Sequence, residues 1–280
     1  MSEGQVISPS MVAAREGGRA WLPVLKYFMA RGGYTVIGIL GLLAAWWLGG
    51  WLIAQNPNTE SFAGFAPAPT FARLAELVAG GDVWTAIVPS LKRIGLGLMW
   101  ATFAGVPIGV LIGLFAGMRK MTHIPFQFLR MISPLAWMPI AVLAFSSWNG
   151  AIVFLIAIAA IWPVVFSTAQ GVRRIDPLWF KVARNLGADG LQMLYRIILP
   201  AIGQDIFAGI RLAVGVAWIV LVPAEYLGVT SGLGYAINDA RDTLEYDTLA
   251  AMVVVIGVIG FFLDGACVKL INYFSWHHQE

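Results

Sequence analysis

The sequence predicts an all-α membrane protein with six transmembrane helices. Two observations point there. Only 12% of the 280 residues are charged and mean hydropathy is +0.77, whereas an ordinary soluble domain is about 25% charged. The apolar residues also gather into uncharged runs, and about 20 such residues at 1.5 Å each cross the hydrocarbon core. This balance excludes an ordinary soluble enzyme and a disordered or nucleic-acid-binding tail protein. The net charge is only +3. Its scattered Lys and Arg fit membrane orientation better than a nucleic-acid footprint.

Residues 1–33 carry Glu3, Arg15, Glu16 and Arg19 without an apolar core. They read as a cytoplasmic N-terminal segment, not a cleaved signal peptide. The first span is 34–53. A periplasmic linker over 54–93 holds Pro57, Pro67, Pro69 and Pro89. Within it Thr70 is expected to cap a short helix with Phe71, Leu74, Leu77 and Val78 on one face, stopping at Gly80-Gly81. A five-helix core occupies 94–271. Its second span, 94–117, lies between Arg93 and Arg119. The uncharged run 131–172 is too long for one helix. Asn149-Gly150 supplies a turn, giving spans at 131–148 and 151–171. After an inner segment at 172–205, the fifth span is 206–224, with Arg211 inside it. The sixth is 249–271, with Asp264 near its end, and 272–280 form a tail.

Basic residues set the orientation. Twelve of the 18 Lys and Arg fall in segments on the side of the N-terminus, and four fall on the other side. The chain is therefore expected to be N-in and C-in. The last outer loop is acidic, with Asp239, Asp242, Glu245 and Asp247. Ala101, Gly105, Gly109, Gly113 and Gly117 recur every fourth residue, a stripe that lets a second helix approach closely. Pro134, Pro139 and Pro163 interrupt the third and fourth spans. Cys267 lies in an apolar run and reads as packing. The three histidines form no ligand set and none lies in a span, so neither a metal site nor an intramembrane enzyme is expected.

Segment 172–205 is the most informative. Asp176-Pro177 starts a short helix and Gly187 stops it. A second follows, with Leu191, Leu194, Tyr195 and Ile198 at helical spacing, and Pro200 ends it. Two short helices around a glycine elbow, tied to two spans, form a knob able to transmit a push. An inert interfacial hairpin has the same composition.

The knob resembles the cytoplasmic coupling loop of binding-protein-dependent ABC importer permeases. That pattern is Glu-Ala-Ala, three residues, Gly, nine residues, then Ile-x-Leu-Pro. The matching positions are Lys181, Val182, Ala183, Gly187, Ile197, Leu199 and Pro200, with Ala188 directly after the glycine. Lys181 and Val182 depart from the pattern's Glu and Ala. PSLKRIGLGLMWATFAGVPIGVLIGL, SPLAWMPIAVLAF and AGIRLAVGVAWIVLVPAEYL are similar to spans of the nitrate, sulfonate, taurine and bicarbonate branch. The resemblance implies a type I ABC importer permease fold in a bacterial inner membrane, with a coupling-helix loop. It also implies a second permease copy as homodimer partner, two cytoplasmic ATPase subunits that hold ATP and Mg, and a periplasmic or lipid-anchored solute-binding protein. The chain has no Walker-type phosphate loop, so it is expected to be non-catalytic, to bind no cofactor itself and to contact no nucleic acid.

Candidate pathway residues follow from the spans. Arg211 can attract an anion, snorkel to the interface or pair with Asp205. Trp137, Trp162 and Trp218 can donate indole N–H groups to an oxyanion or form interface belts. Pro139 marks a kink on the route. Glu225, at the outer end of span five, is expected to pair with Arg241 as part of an outer gate, and Asp264 with a neighbouring span or Lys269. The competing reading is a stand-alone channel or secondary transporter, which calls for inverted repeats or midplane acids. Neither is visible in the sequence.

Overall fold

The computed structural model describes residues 33–57 and 59–276. The N-terminal segment up to 32 and residues 277–280 of the tail lie outside the described residues. Every described element is helical. The chain divides into two units, one ending at Pro69 and one beginning at Thr70.

In the first unit, α1 (Tyr34–Gln55) is a 22-residue apolar helix. A 3-10 turn at Glu60–Phe65 folds back on its end. The Trp46 indole N–H donates to the Phe65 carbonyl at 2.9 Å. A Cβ at Gly50 would stand 2.8 Å from that of Ala66, so glycine permits the return.

α2 (Pro67–Gly80), which lies in the second unit from Thr70 onward, ends at Gly81, whose φ of 87° suits glycine. The helix starts at Pro67, so Thr70 lies buried within it instead of capping it. Arg73 braces α2: its Nε donates to Thr248 Oγ1 and its Nη1 to Glu76, both at 2.9 Å. The Glu76 hydrogen bond, then the charges of Glu245 and Asp247, raise the Arg73 pKa despite partial desolvation.

α3 (Asp82–Leu114) is much longer than the expected second span. It begins in the stretch read as linker, so Arg93 lies inside a helix, not in a loop. α3 packs along α6 (Trp148–Arg174) through its small residues. Gly97 meets Ile156, Gly105 meets Val164, Gly109 meets Thr168 and Gly113 meets Val172. A Cβ at Gly109 or Gly113 would stand 2.6 Å from the facing Cβ, so no larger residue fits. Gly117, by contrast, faces open space. Both residue numbers rise together along this seam, so α3 and α6 run parallel. The chain between them must therefore return to its starting end. It does so through α4 (Ala116–Met131), a 3-10 turn (Pro134–Trp137) and α5 (Met138–Ala144).

Here the structure corrects the sequence reading twice. The continuous span at 131–148 is instead a pair of segments bent by 88°. Ser133 precedes Pro134, and the residue before a proline is pushed out of helical conformation. The turn before α6 is also not Asn149-Gly150, which lie inside the helix. Ser147 is its N-cap and accepts from the Gly150 N–H. Among the described residues five helices are each long and apolar enough to span, and there are six if the bent pair counts as one span.

α7 (Pro177–Asn185), α8 (Gly190–Met193), a π turn (Leu194–Ile198) and α9 (Leu199–Ala201) form the segment before α10 (Gly203–Gly228). α10 runs antiparallel to α6: Gly209 meets Ser167, and Gly228 lies against Trp148. α11 (Leu233–Asp242) and α12 (Tyr246–Trp276) complete the unit. The starts of α3 and α6 thus share one end with α11. The elbow of 175–202 sits at the opposite end.

Candidate functional site: a tryptophan-lined cavity, an elbow and two ion pairs

A cavity of about 540 Å³ opens between the end of α4, α6 and α10. Trp137, Trp162, Pro134, Ser167 and Gln170 line it. Its rim carries Arg130, whose guanidinium stands 5.3 Å from the centre of the Phe166 ring, within cation–π range. Phe166 in turn stacks on Trp162, with centroids 6.4 Å apart. Trp162 takes the edge of Phe126 at 5.4 Å. The 88° break places Arg130 here, because it turns the end of α4 toward α6.

Of the predicted pathway residues, the structure brings together only Trp137 and Trp162. Pro139 is exposed on α5 and does not line the cavity. Trp218 packs toward Gly260 of α12. Arg211 is paired with Asp264, at 2.8 Å from Nε and 2.9 Å from Nη2. The alternatives Arg211–Asp205 and Asp264–Lys269 are thereby replaced; Asp205 lies 3.3 Å from Arg174. Sequence reading missed Arg130, having counted it only as an inner basic residue. Its spacing to Pro134 is the signal that places it at a bend.

Glu225 is fully buried and pairs with Arg93, not Arg241. Ser90 Oγ donates to the same carboxylate at 2.8 Å, and the Gly234 N–H donates to it at 3.0 Å. Ser90 Oγ also accepts from the Leu233 N–H at 2.9 Å. Arg93 donates further to the Asn149 side-chain oxygen, the Ser231 carbonyl and Ser231 Oγ. Gly232, at φ 117°, passes so close that a Cβ would stand 2.6 Å from Arg93 Nη1. Arg241 instead binds Asp242 and lies 4.8 Å over the Tyr226 ring.

At the opposite end, Asp176 caps α7 by accepting from the Leu178 N–H at 2.8 Å. The helix stops in a Schellman motif. The Gly187 N–H donates to Arg184 O and the Ala188 N–H to Ala183 O, both at 3.0 Å, with Gly187 at φ 82°. Ala183 is buried with Met193, Ile198, Ile202 and Val110 of α3, and Ala188 and Leu199 pack against that cluster. Lys181, Val182 and Pro200 are exposed. Leu178, Trp179, Leu186 and Tyr195 are exposed beside them, an apolar face fixed to the ends of α3 and α6.

Residues 105–271 match the family model described as binding-protein-dependent transport system inner membrane component. The chain belongs to that family. The permease is 39% identical over 186 residues to the bicarbonate transport system permease protein CmpB of Synechococcus elongatus, covering 66% of each chain. It is 36% identical to the nitrate import permease protein NrtB of Leptolyngbya laminosa, covering 64% of each. It is 32% identical to the taurine transport system permease protein TauC of Escherichia coli, covering 81% of this chain and 84% of that one. The match to the first two spans just under two thirds of those relatives' own length. Among solved structures, the MetNI methionine ABC transporter, inward facing, aligns with a TM-score of 0.56 at 14% identity, covering 68% of this chain and 94% of that one. The permease therefore has the type I ABC importer permease fold and crosses the membrane several times.

Proposed function

We propose that this permease forms half of the translocation pathway of an ATP-driven importer for a small anion of the bicarbonate, nitrate, taurine or alkanesulfonate class. The observation that carries it is Arg130 at the rim of the Trp137–Trp162 cavity. A guanidinium in a largely apolar cavity that two tryptophans help to line attracts an anion without a carboxylate to compete with it. The relatives named for bicarbonate, nitrate and taurine support that class. In this reading a second permease copy completes the pathway. Cytoplasmic ATPase subunits carrying ATP and Mg dock on the elbow through the exposed Lys181, Val182, Gly187 and Pro200, while Ala183, Ala188 and Leu199 hold its shape from within. The N- and C-termini lie inside, and a solute-binding protein delivers the anion at the α11 end. The chain itself is the non-catalytic subunit.

The test is ATP-driven uptake by the reconstituted complex with Arg130→Gln. Anion uptake is expected to fall roughly tenfold, equivalent to about 1.4 kcal/mol, while the complex still assembles. Undiminished uptake with intact assembly removes Arg130 from the pathway.

A further inference from the structure

A second cavity, of about 420 Å³, lies between the first turns of α4 and the end of α6. It adjoins the tryptophan-lined cavity through Phe166 and Gln170, which line both. Its polar lining is Arg119, Thr122, His123, Gln170, Arg173 and Arg174, and it includes no carboxylate. Among the described residues, Arg119 and Arg173 have no ion-pair partner, and Arg174 shares its charge with Asp205. Arg119 is half-buried, so its unneutralised charge is held partly out of water. Ile112, Phe126, Phe166 and Ala169 form apolar walls. On the face turned away from the cavity, α4 exposes Met121, Ile124 and Phe128.

We propose that this cavity binds a phosphate-bearing anion, with Arg119 and Arg173 as its principal cationic contacts. Two guanidiniums without an ion-pair partner line one space and offer it two positive charges, which attract a phosphate group. Gln170 adds a neutral donor, whereas the Thr122 hydroxyl donates to the Met118 carbonyl at 2.9 Å. The group comes from one of two sources: the headgroup of an anionic lipid or free phosphate. Basic pockets between helices at the membrane surface take lipid headgroups. The site goes beyond the transported anion, because it lies at the elbow end, outside the ring of Trp137 and Trp162.

The experiment uses the full-length protein in nanodiscs of phosphatidylcholine with graded phosphatidylglycerol. Native mass spectrometry of the extracted protein reads retained lipid, and a parallel arm reads melting temperature against inorganic phosphate. Each arginine near an anionic surface contributes about fivefold in affinity. Arg119→Gln with Arg173→Gln is therefore expected to weaken phosphatidylglycerol retention roughly 25-fold. Arg119→Lys with Arg173→Lys should keep most of it. That pattern assigns the site to lipid. If phosphate instead raises the melting temperature of the wild type and not of the Gln pair, the site takes the free anion. Equal lipid retention and equal phosphate response in wild type and Gln pair overturn the proposal. Should the Gln pair not fold, phosphatidylglycerol retention by the wild type that is indifferent to rising salt also overturns it.

Discussion

Among the described residues three arginine–carboxylate pairs tie α10 to its neighbours, and two of them, Arg93–Glu225 and Arg211–Asp264, are built on opposite principles. Arg93–Glu225 joins α10 to α3, with side chains 5% and 0% exposed. Each partner has further hydrogen bonds to α6, the 229–232 turn or the start of α11. Arg211–Asp264 joins α10 to α12, with side chains 44% and 56% exposed, and is bidentate. The first pair organises the end of the bundle that carries α11. The second lies about 12 Å into α10, at the helical rise of 1.5 Å per residue, on a face that the described residues leave exposed. Burial is thus what separates a charge that holds the fold from one left available to a surface. A buried pair deprived of one partner leaves an unsatisfied charge, whereas an exposed pair keeps the option of other partners.

The largest effect is expected at Glu225. Glu225→Gln leaves Arg93 buried without a counter-charge, which typically costs about 3–5 kcal/mol. A fluorescence melt of the detergent-solubilised protein should show a strongly lowered midpoint. Gly232→Ala comes next. It adds a methyl group against both charges at a φ that side chains rarely adopt, a strain of about 1–3 kcal/mol. Limited proteolysis should then cut the 229–232 turn faster than in the wild type. Replacing both charges by similar-sized apolar residues, Arg93→Met with Glu225→Leu, sharpens the contrast. The double variant should melt closer to the wild type than Glu225→Gln does, because no lone charge remains. The smallest effect belongs to Arg211→Gln, whose melting midpoint should stay near the wild type. If Arg211→Gln destabilises as much as Glu225→Gln, burial is not what distinguishes the pairs.

Much of this architecture is legible in the sequence, because the membrane imposes length and polarity on each helix. The elbow was equally readable: Asp176, Pro177 and Gly187 are local signals whose meaning does not depend on distant residues. The helix bounds were less so. Arg93 looked like the edge of a span because a charge normally ends one. Only Glu225, 132 positions away, explains why it is tolerated inside. The bend at Ser133 was readable from Pro134 and Pro139, yet its direction, and so the placing of Arg130 by Phe166, depends on tertiary packing. Partner choice among charges failed for the same reason. Arg241 and Asp205 are near in sequence to Glu225 and Arg211, and proximity along the chain is a weak guide on helices that return antiparallel.

The glycine stripe of α3 also constrains motion. Its seats at Gly97, Gly105, Gly109 and Gly113 receive Ile156, Val164, Thr168 and Val172 in one register. With seats four residues apart, the nearest alternative register lies about 6 Å away, at 1.5 Å per residue. Any smaller slide drives a β-branched side chain onto the backbone between seats. α3 and α6 therefore behave as a single beam rather than as two sliding rods. Ala183, Met193 and Ile198 are packed on Val110 and Val172 at one end of that beam, and Arg93 binds Asn149 at the other, so the elbow and the buried ion pair are mounted on the two ends of one rigid element.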